Sequence, residues 1–241
     1  MPIPVILAAV ASLFLISSSN IHAAGTSAVA KIDSVSVSLP IPPTFTEPSA
    51  GAPEVRTLGE TITPPTNRLL AILVPVRYET QTRFGNIPEL DRYFLIQTPR
   101  KSETSSWTTA DFSKLKAILR AQHQQFLNRA TPQIQGLIDS KLQDKSLALD
   151  PGVTDLRVGE IRVQEIFDEK PRSISLLALT KYTVRTGDKI QEQPMAMAYT
   201  TQLIKGKIVF FYAYSYLRSP ADIDWIRRQT RLWINRVDAE N

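Results

Sequence analysis

The sequence predicts an α+β fold, an α/β/α sandwich in which about six mainly antiparallel strands form a sheet with helices packed on it. The clearest signal lies in residues 203–216, where two runs of β-branched and aromatic residues flank Lys205-Gly206-Lys207. Glycine supplies the positive φ of a tight turn, so this pattern predicts a β-hairpin. Beyond the turn, both sets of alternating side chains are largely apolar, so both faces of the strand need cover. Helical apolar periodicity elsewhere in the chain supplies that cover.

The first residues predict export. Residues 3–16 are almost uninterruptedly apolar, and the small and polar residues that follow offer a cleavage point after Ala23. This pattern is typical of a secretory signal peptide, and the run is shorter than the ~20 residues that cross a bilayer as a helix. We therefore expect residues 1–23 to be a signal peptide. The mature protein would then be periplasmic, with secretion as the alternative, and would have no integral membrane span.

The sequence divides the remaining chain into two parts. Residues 24–67 are rich in proline, serine and threonine, and proline fixes φ and removes a backbone donor. We expect this segment to be an extended or disordered linker, or a strap lying over the domain. We expect residues 68–241 to form a single α+β domain. Its predicted strands cover residues 68–76, 92–98, 156–167, 173–185, 195–204 and 207–216.

Helix signals mark two regions of this domain. Thr108 or Thr109 can cap a long helix in which apolar residues recur at helical spacing. Proline at Pro132 predicts a second, shorter helix, kinked from the first or set at an angle to it. Ser219, Pro220 and Asp222 predict the start of a closing helix with a capping box.

Two aromatic surfaces are the candidate binding sites. The first is a set of tyrosines on neighbouring predicted strands, which either pack the sheet or form a ligand face: Tyr199, Tyr212, Tyr214 and Tyr216. The second is Trp225 with Leu232, which lie on the opposite side of the closing helix from its inner apolar stripe. Either the strap or the long helix covers this pair, or it meets a partner.

Catalytic chemistry is sparse. The chain has no cysteine, and His123 is the only histidine after the signal, at the margin of an apolar helix face. Ser113 and Lys116 match the Ser-x-x-Lys pattern of some serine hydrolases, which leaves that activity as an alternative. Four carboxylates cluster between residues 160 and 169, where a loose divalent-cation site is the alternative to solvated charges. We expect no cofactor, no metal and no catalytic residue.

The net charge of +5 is dispersed among carboxylates, which argues against a nucleic-acid binder. A module for anionic lipid or nucleic acid, acting through Arg227, Arg228 and Arg231, remains an alternative.

The order of elements resembles that of the PsbP-like superfamily. The resemblance covers about residues 68–238 and rests on the segment 202–211, QLIKGKIVFF, and on Trp225 and Trp233. The group includes the extrinsic PsbP subunit of photosystem II and periplasmic DcrB-type proteins. The resemblance implies an α/β/α sandwich and an accessory or binding role rather than an enzyme. With the sparse chemistry, it favours an exported, non-enzymatic accessory protein that binds a protein partner or a small apolar ligand.

Overall fold

A computed structural model describes residues 27–48, 52–83, 90–143 and 153–241. In chain order, its strands are β1 (Ser27–Ile32), β2 (Val35–Pro40), β3 (Phe45–Thr46), β4 (Asn67–Pro75), β5 (Arg92–Pro99), β6 (Val153–Val158), β7 (Arg162–Lys170), β8 (Ser173–Thr186), β9 (Lys189–Ile204) and β10 (Lys207–Tyr216). Its α-helices are α1 (Pro53–Thr61), α2 (Glu79–Arg83), α3 (Thr109–Gln143) and α4 (Pro220–Glu240).

The α+β class and the mainly antiparallel sheet are confirmed. Eight strands form a sheet that curls into a half-barrel, in the order β3-β4-β5-β10-β9-β8, with β6 and β7 both pairing with β8. The predicted count of six is wrong for two reasons. The predicted strand 156–167 breaks between β6 and β7, where the Gly159 amide donates to the Lys181 carbonyl at 2.8 Å. A Cβ at Gly159 would lie 3.0 Å from that oxygen. The second reason is that β3 comes from the segment that was predicted to be a linker.

The prediction of a linker over residues 24–67 is corrected by the described part of that segment. Residues 27–48 and 52–67 contain the β1–β2 hairpin, β3 and α1, and Ile32, Val37 and Leu39 are buried in the main core. The prolines do not prevent this, because Pro40 ends a strand and Pro53 occupies the first turn of a helix. The predicted signal peptide, residues 1–23, lies outside the described residues.

Of the two alternatives predicted at Pro132, a separate helix set at an angle is wrong, because α3 runs through that residue as one helix. Proline costs the helix one hydrogen bond at this point. The Thr131 hydroxyl donates to the Leu127 carbonyl at 3.0 Å.

At the N-terminal end of α3, the prediction of a threonine cap is confirmed, because the Thr108 hydroxyl accepts the Asp111 amide at 3.1 Å.

The predicted start of α4 is confirmed in detail. The Asp222 carboxylate accepts the amides of Arg218 and Ser219, each at 3.0 Å, and pairs with Arg92 at 3.0 Å. Burial raises the pKa of Asp222, but these hydrogen bonds outweigh it and hold the pKa below its ordinary value of 3.8. The helix N-terminus is therefore tied to β5 through one carboxylate.

Helices cover both faces of the sheet. One face packs against α4 and the β1–β2 hairpin, with Phe94, Phe211 and Trp233 in contact at its centre. The opposite face, which includes Tyr212, packs against α1 and α3. Among the described residues, none of the helices combines the length and the apolarity that a membrane span requires.

Candidate functional site

The tyrosines that the sequence singled out lie on one face of the sheet and stack across strands. Tyr212 stacks on Tyr199 of β9, with ring centroids 5.0 Å apart, and lies 6.3 Å from Tyr214. Tyr214 stacks in turn on Tyr93 of β5 at 4.5 Å. Tyr216 lies at the end of this row, beneath the Arg218 guanidinium. The rings therefore form a continuous aromatic surface over three strands.

The hydroxyls of these tyrosines are poorly solvated. Burial raises the pKa of Tyr199 to about 12, although the Thr201 hydroxyl donates to its oxygen at 2.8 Å. Burial also raises the pKa of Tyr93, Tyr212 and Tyr214 well above the ordinary value of 10.0. All of them stay neutral at physiological pH, so this surface offers rings and hydroxyl dipoles rather than charge.

A cavity of about 570 Å³ separates part of this tyrosine surface from α3, and we name it the α3 cavity. The sheet provides its floor, namely Tyr199, Thr201, Ile208, Phe210 and Tyr212, and α3 provides Leu115, Leu119, Leu127 and Ala130. The cavity is also bordered by the start of β4 and by the connection from β5 to α3, including Lys101 and Trp107. The lining is mostly apolar, and the volume falls in the range of small-molecule sites.

Two glutamines hold α3 in position over the sheet. Gln124 donates to the Ile161 carbonyl at 2.6 Å and accepts the Val163 amide at 3.0 Å. Gln135 makes the same pair of bonds to Leu156 and Val158, both at 2.9 Å. Because β6 and β7 lie at the sheet edge, these side chains satisfy backbone groups that otherwise need water. They fix one wall of the α3 cavity.

The β9–β10 hairpin turn positions Trp107 at the border of the α3 cavity. Lys205 and Gly206 both adopt positive φ, as a two-residue hairpin turn requires. The Gly206 carbonyl accepts the Trp107 amide at 2.8 Å, and Lys207 donates to the Glu103 carbonyl at 2.7 Å. The Trp107 indole Nε1 is buried and has no hydrogen-bond partner among the described residues. A buried donor without an acceptor is costly.

Trp225 and Leu232 border a second recess, which we name the α4 groove. It has a volume of about 480 Å³ and lies between α4 and the segments 42–45 and 75–77. Trp225 is half-buried, in contact with Phe45, and the Arg92 guanidinium lies 4.2 Å above its ring. Leu232 is 54% exposed. The N-terminal segment therefore covers part of the tryptophan and leaves the leucine open.

The contacts of Ser113 and Lys116 do not favour a serine hydrolase. The Ser113 hydroxyl donates to the Thr109 carbonyl of its own helix at 2.9 Å. Lys116 donates to the Lys170 carbonyl at 2.7 Å and pairs with Glu169 at 3.0 Å. The Lys116 ammonium is thus engaged with the end of β7, and the Ser113 hydroxyl with its own helix, so the two groups are not arranged as a nucleophile and its base. His123 contacts backbone carbonyls of its own helix.

The acidic residues of β7 pair with arginines of α3 and α4. Glu165 pairs with Arg227, and Asp168 lies 3.7 Å from Arg231. The Arg120 guanidinium lowers the pKa of Glu169 through its hydrogen bonds. These pairs reduce the free charge available for anionic lipid or nucleic acid, and Arg228 remains exposed. In the described part of the chain, no three histidine or carboxylate side chains are grouped to hold a metal.

Sequence reasoning found the tyrosine face and the Trp225–Leu232 pair but missed most of what surrounds them. Tyr93 lacked a distinguishing signal, because it reads as one more apolar position in a strand. Trp107 stands alone before a helix cap, and a buried indole without an acceptor is a property of the folded chain only. Arg92 is likewise brought to Trp225 by sheet pairing rather than by sequence spacing.

In comparisons with known proteins, no family model, curated protein or solved structure matches the chain. The resemblance to the PsbP-like superfamily stays a prediction.

Proposed function

We propose that this chain is an exported, non-enzymatic binding protein that holds a small apolar ligand in the α3 cavity. The α3 cavity itself carries the proposal, since its floor of aromatic rings and its roof of leucines give an apolar ligand a water-poor environment. Trp107 borders the same cavity, and its buried indole Nε1 has no hydrogen-bond partner among the described residues. The ligand is thus an apolar body with one hydrogen-bond acceptor.

The acceptor is part of the proposal because the Trp107 indole is a donor of the lining residues that is left without a hydrogen-bond partner among the described residues. Satisfying a buried N–H recovers about 1–3 kcal/mol of desolvation cost. An acceptor such as a carbonyl, ether or hydroxyl oxygen placed at Trp107 is worth about 5- to 150-fold in affinity on that basis.

Filling the α3 cavity tests the proposal. Ala130 lines the cavity, whereas Ala121, on the opposite side of α3, is exposed. We expect Ala130→Trp to raise the dissociation constant of the fluorophore N-phenyl-1-naphthylamine at least about tenfold, which corresponds to about 1.4 kcal/mol. The matched control Ala121→Trp leaves it within about twofold. Equal binding by the two variants overturns the proposal.

A second measurement does not depend on the folding of a filled variant. A bromoalkane alcohol such as 11-bromoundecanol quenches tryptophan fluorescence only at short range, and Trp107 borders the α3 cavity while Trp233 lies on the other sheet face. We expect saturable quenching in the wild type that is lost in Trp107→Phe. Quenching that persists unchanged in Trp107→Phe shows that the molecule binds elsewhere.

A further inference from the structure

The α4 groove combines apolar walls with positive charge. Among the described residues that line it, three are arginines, namely Arg77, Arg92 and Arg236, and none is a carboxylate. Val76 and Leu232, which are 47% and 54% exposed, are two of the five large apolar side chains that are most exposed in the described chain. An exposed apolar recess rimmed by polar residues is typical of an interaction site.

The arginines are held in place before any partner arrives. Arg92 donates to Asp222 at 3.0 Å and stacks on Trp225, and Arg236 donates to the Ile41 carbonyl at 3.0 Å. Arg77 pairs with Asp91, and Arg236 lies 3.4 Å from Glu240, so each of the three arginines has a carboxylate partner in the free protein. Their acidic neighbours do not line the groove, and each guanidinium has five N–H donors, so further donors remain for a partner. Fixed side chains lose little entropy on binding.

We infer that the α4 groove docks a short acidic segment of a partner protein, in which a bulky apolar side chain is flanked by carboxylates. The apolar side chain contacts Trp225 and Leu232, and the carboxylates pair with the arginines of the rim. A recess of about 480 Å³ can hold a few side chains. A lipid surface, in contrast, contacts the convex parts of a protein. This site is separate from the α3 cavity, on the other face of the sheet.

Three fluorescein-labelled octapeptides test the inference by fluorescence anisotropy with the purified protein. The first has leucine and phenylalanine at its centre flanked by glutamates. The second replaces the glutamates with lysines, and the third replaces the apolar pair with serines. We expect the first to bind at least about tenfold more tightly than either of the others, with an affinity that falls as salt rises. The inference is overturned if the lysine peptide binds as tightly as the first peptide. It is also overturned if the first peptide shows no binding up to about 1 mM, a concentration that corresponds to a very weak affinity.

Two matched pairs of variants locate the binding. Leu232 and Ile190 are 54% and 55% exposed, so Leu232→Ser and Ile190→Ser remove similar surface in different places. We expect only Leu232→Ser to weaken the first peptide, by about fivefold or more, in line with an interface anchor. Gln229 lines the groove and Gln125 is exposed on α3. Only Gln229→Glu should weaken the acidic peptide, and unchanged binding by Leu232→Ser and Gln229→Glu refutes the site.

Vesicles of phosphatidylglycerol provide the competing outcome. Sedimentation of the wild-type protein with these vesicles, lost in Leu232→Ser and accompanied by no peptide binding, assigns the groove to anionic lipid and overturns the peptide inference. Peptide binding without sedimentation supports it. Because N-phenyl-1-naphthylamine reports the α3 cavity independently, a failure of either proposal leaves the other intact.

Discussion

The β1–β2 hairpin offers the sharpest test of the architecture, because the sequence predicts a linker where the structure places part of the core. Leu39 is 1% exposed and belongs to the main core, together with residues of α4 and the sheet. Burial contributes about 0.8 kcal/mol for each methylene-sized group. Leu→Ala in a close-packed core costs about 2–5 kcal/mol once the cavity is included. We therefore expect Leu39→Ala to lower the free energy of unfolding by about 3 kcal/mol.

Val29→Ala is the matched control, since Val29 belongs to the same hairpin but is 72% exposed. Its expected cost is below about 0.5 kcal/mol. Urea unfolding followed by tryptophan fluorescence measures both, and with a slope of about 1–3 kcal/mol per molar urea the Leu39 variant shifts the midpoint by about 1–3 M. Equal midpoints for the two variants would refute the packing of this hairpin and restore the linker.

Further predictions concern the turn, the helices and acid stability. Gly206→Ala should destabilise the protein by about 1 kcal/mol or more, because Gly206 has φ +79° and a Cβ there would lie 3.0 Å from the Ser106 hydroxyl. Gly136→Ala, with open space around it in α3, should instead stabilise the protein by about 0.5–1 kcal/mol and so raise its thermal midpoint. Trp233→Phe should cost about 1–3 kcal/mol in urea, since the Pro40 carbonyl loses a donor at 2.7 Å. The pKa of Asp222 is lower in the folded than in the unfolded protein, so its stabilisation is present above the ordinary value of 3.8 and is lost as the pH falls through the folded pKa.

Each of these has a contrary outcome. A Gly136→Ala variant no more stable than Gly206→Ala contradicts the assigned turn and helix geometry. A Trp233→Phe variant as stable as the wild type means that the Pro40 carbonyl finds another donor. For Asp222→Asn, the loss of stability between about pH 5 and pH 2 should be smaller than in the wild type. Parallel pH profiles would show that the Asp222 carboxylate contributes nothing to acid stability.

The sequence alone determined the elements that depend on local chemistry. Turn and cap residues act within a few positions, so the hairpin around Gly206, the Thr108 cap and the Ser219–Asp222 capping box are readable from spacing. Strand alternation likewise placed Tyr212 and Tyr214 on one face of the sheet. The same rules failed at residues 24–67, where proline density hid the alternation of Val35, Val37 and Leu39.

Tertiary structure decided both candidate sites. The α3 cavity needs Trp107 from a loop, leucines from α3 and Tyr212 from β10, and only the curl of the sheet beneath the helix leaves space between them. The α4 groove needs Arg92 to reach Trp225, which follows from strand pairing and from the Asp222 carboxylate that joins β5 to α4. Empty space and long-range pairing have no local signature, because they result from how whole elements pack.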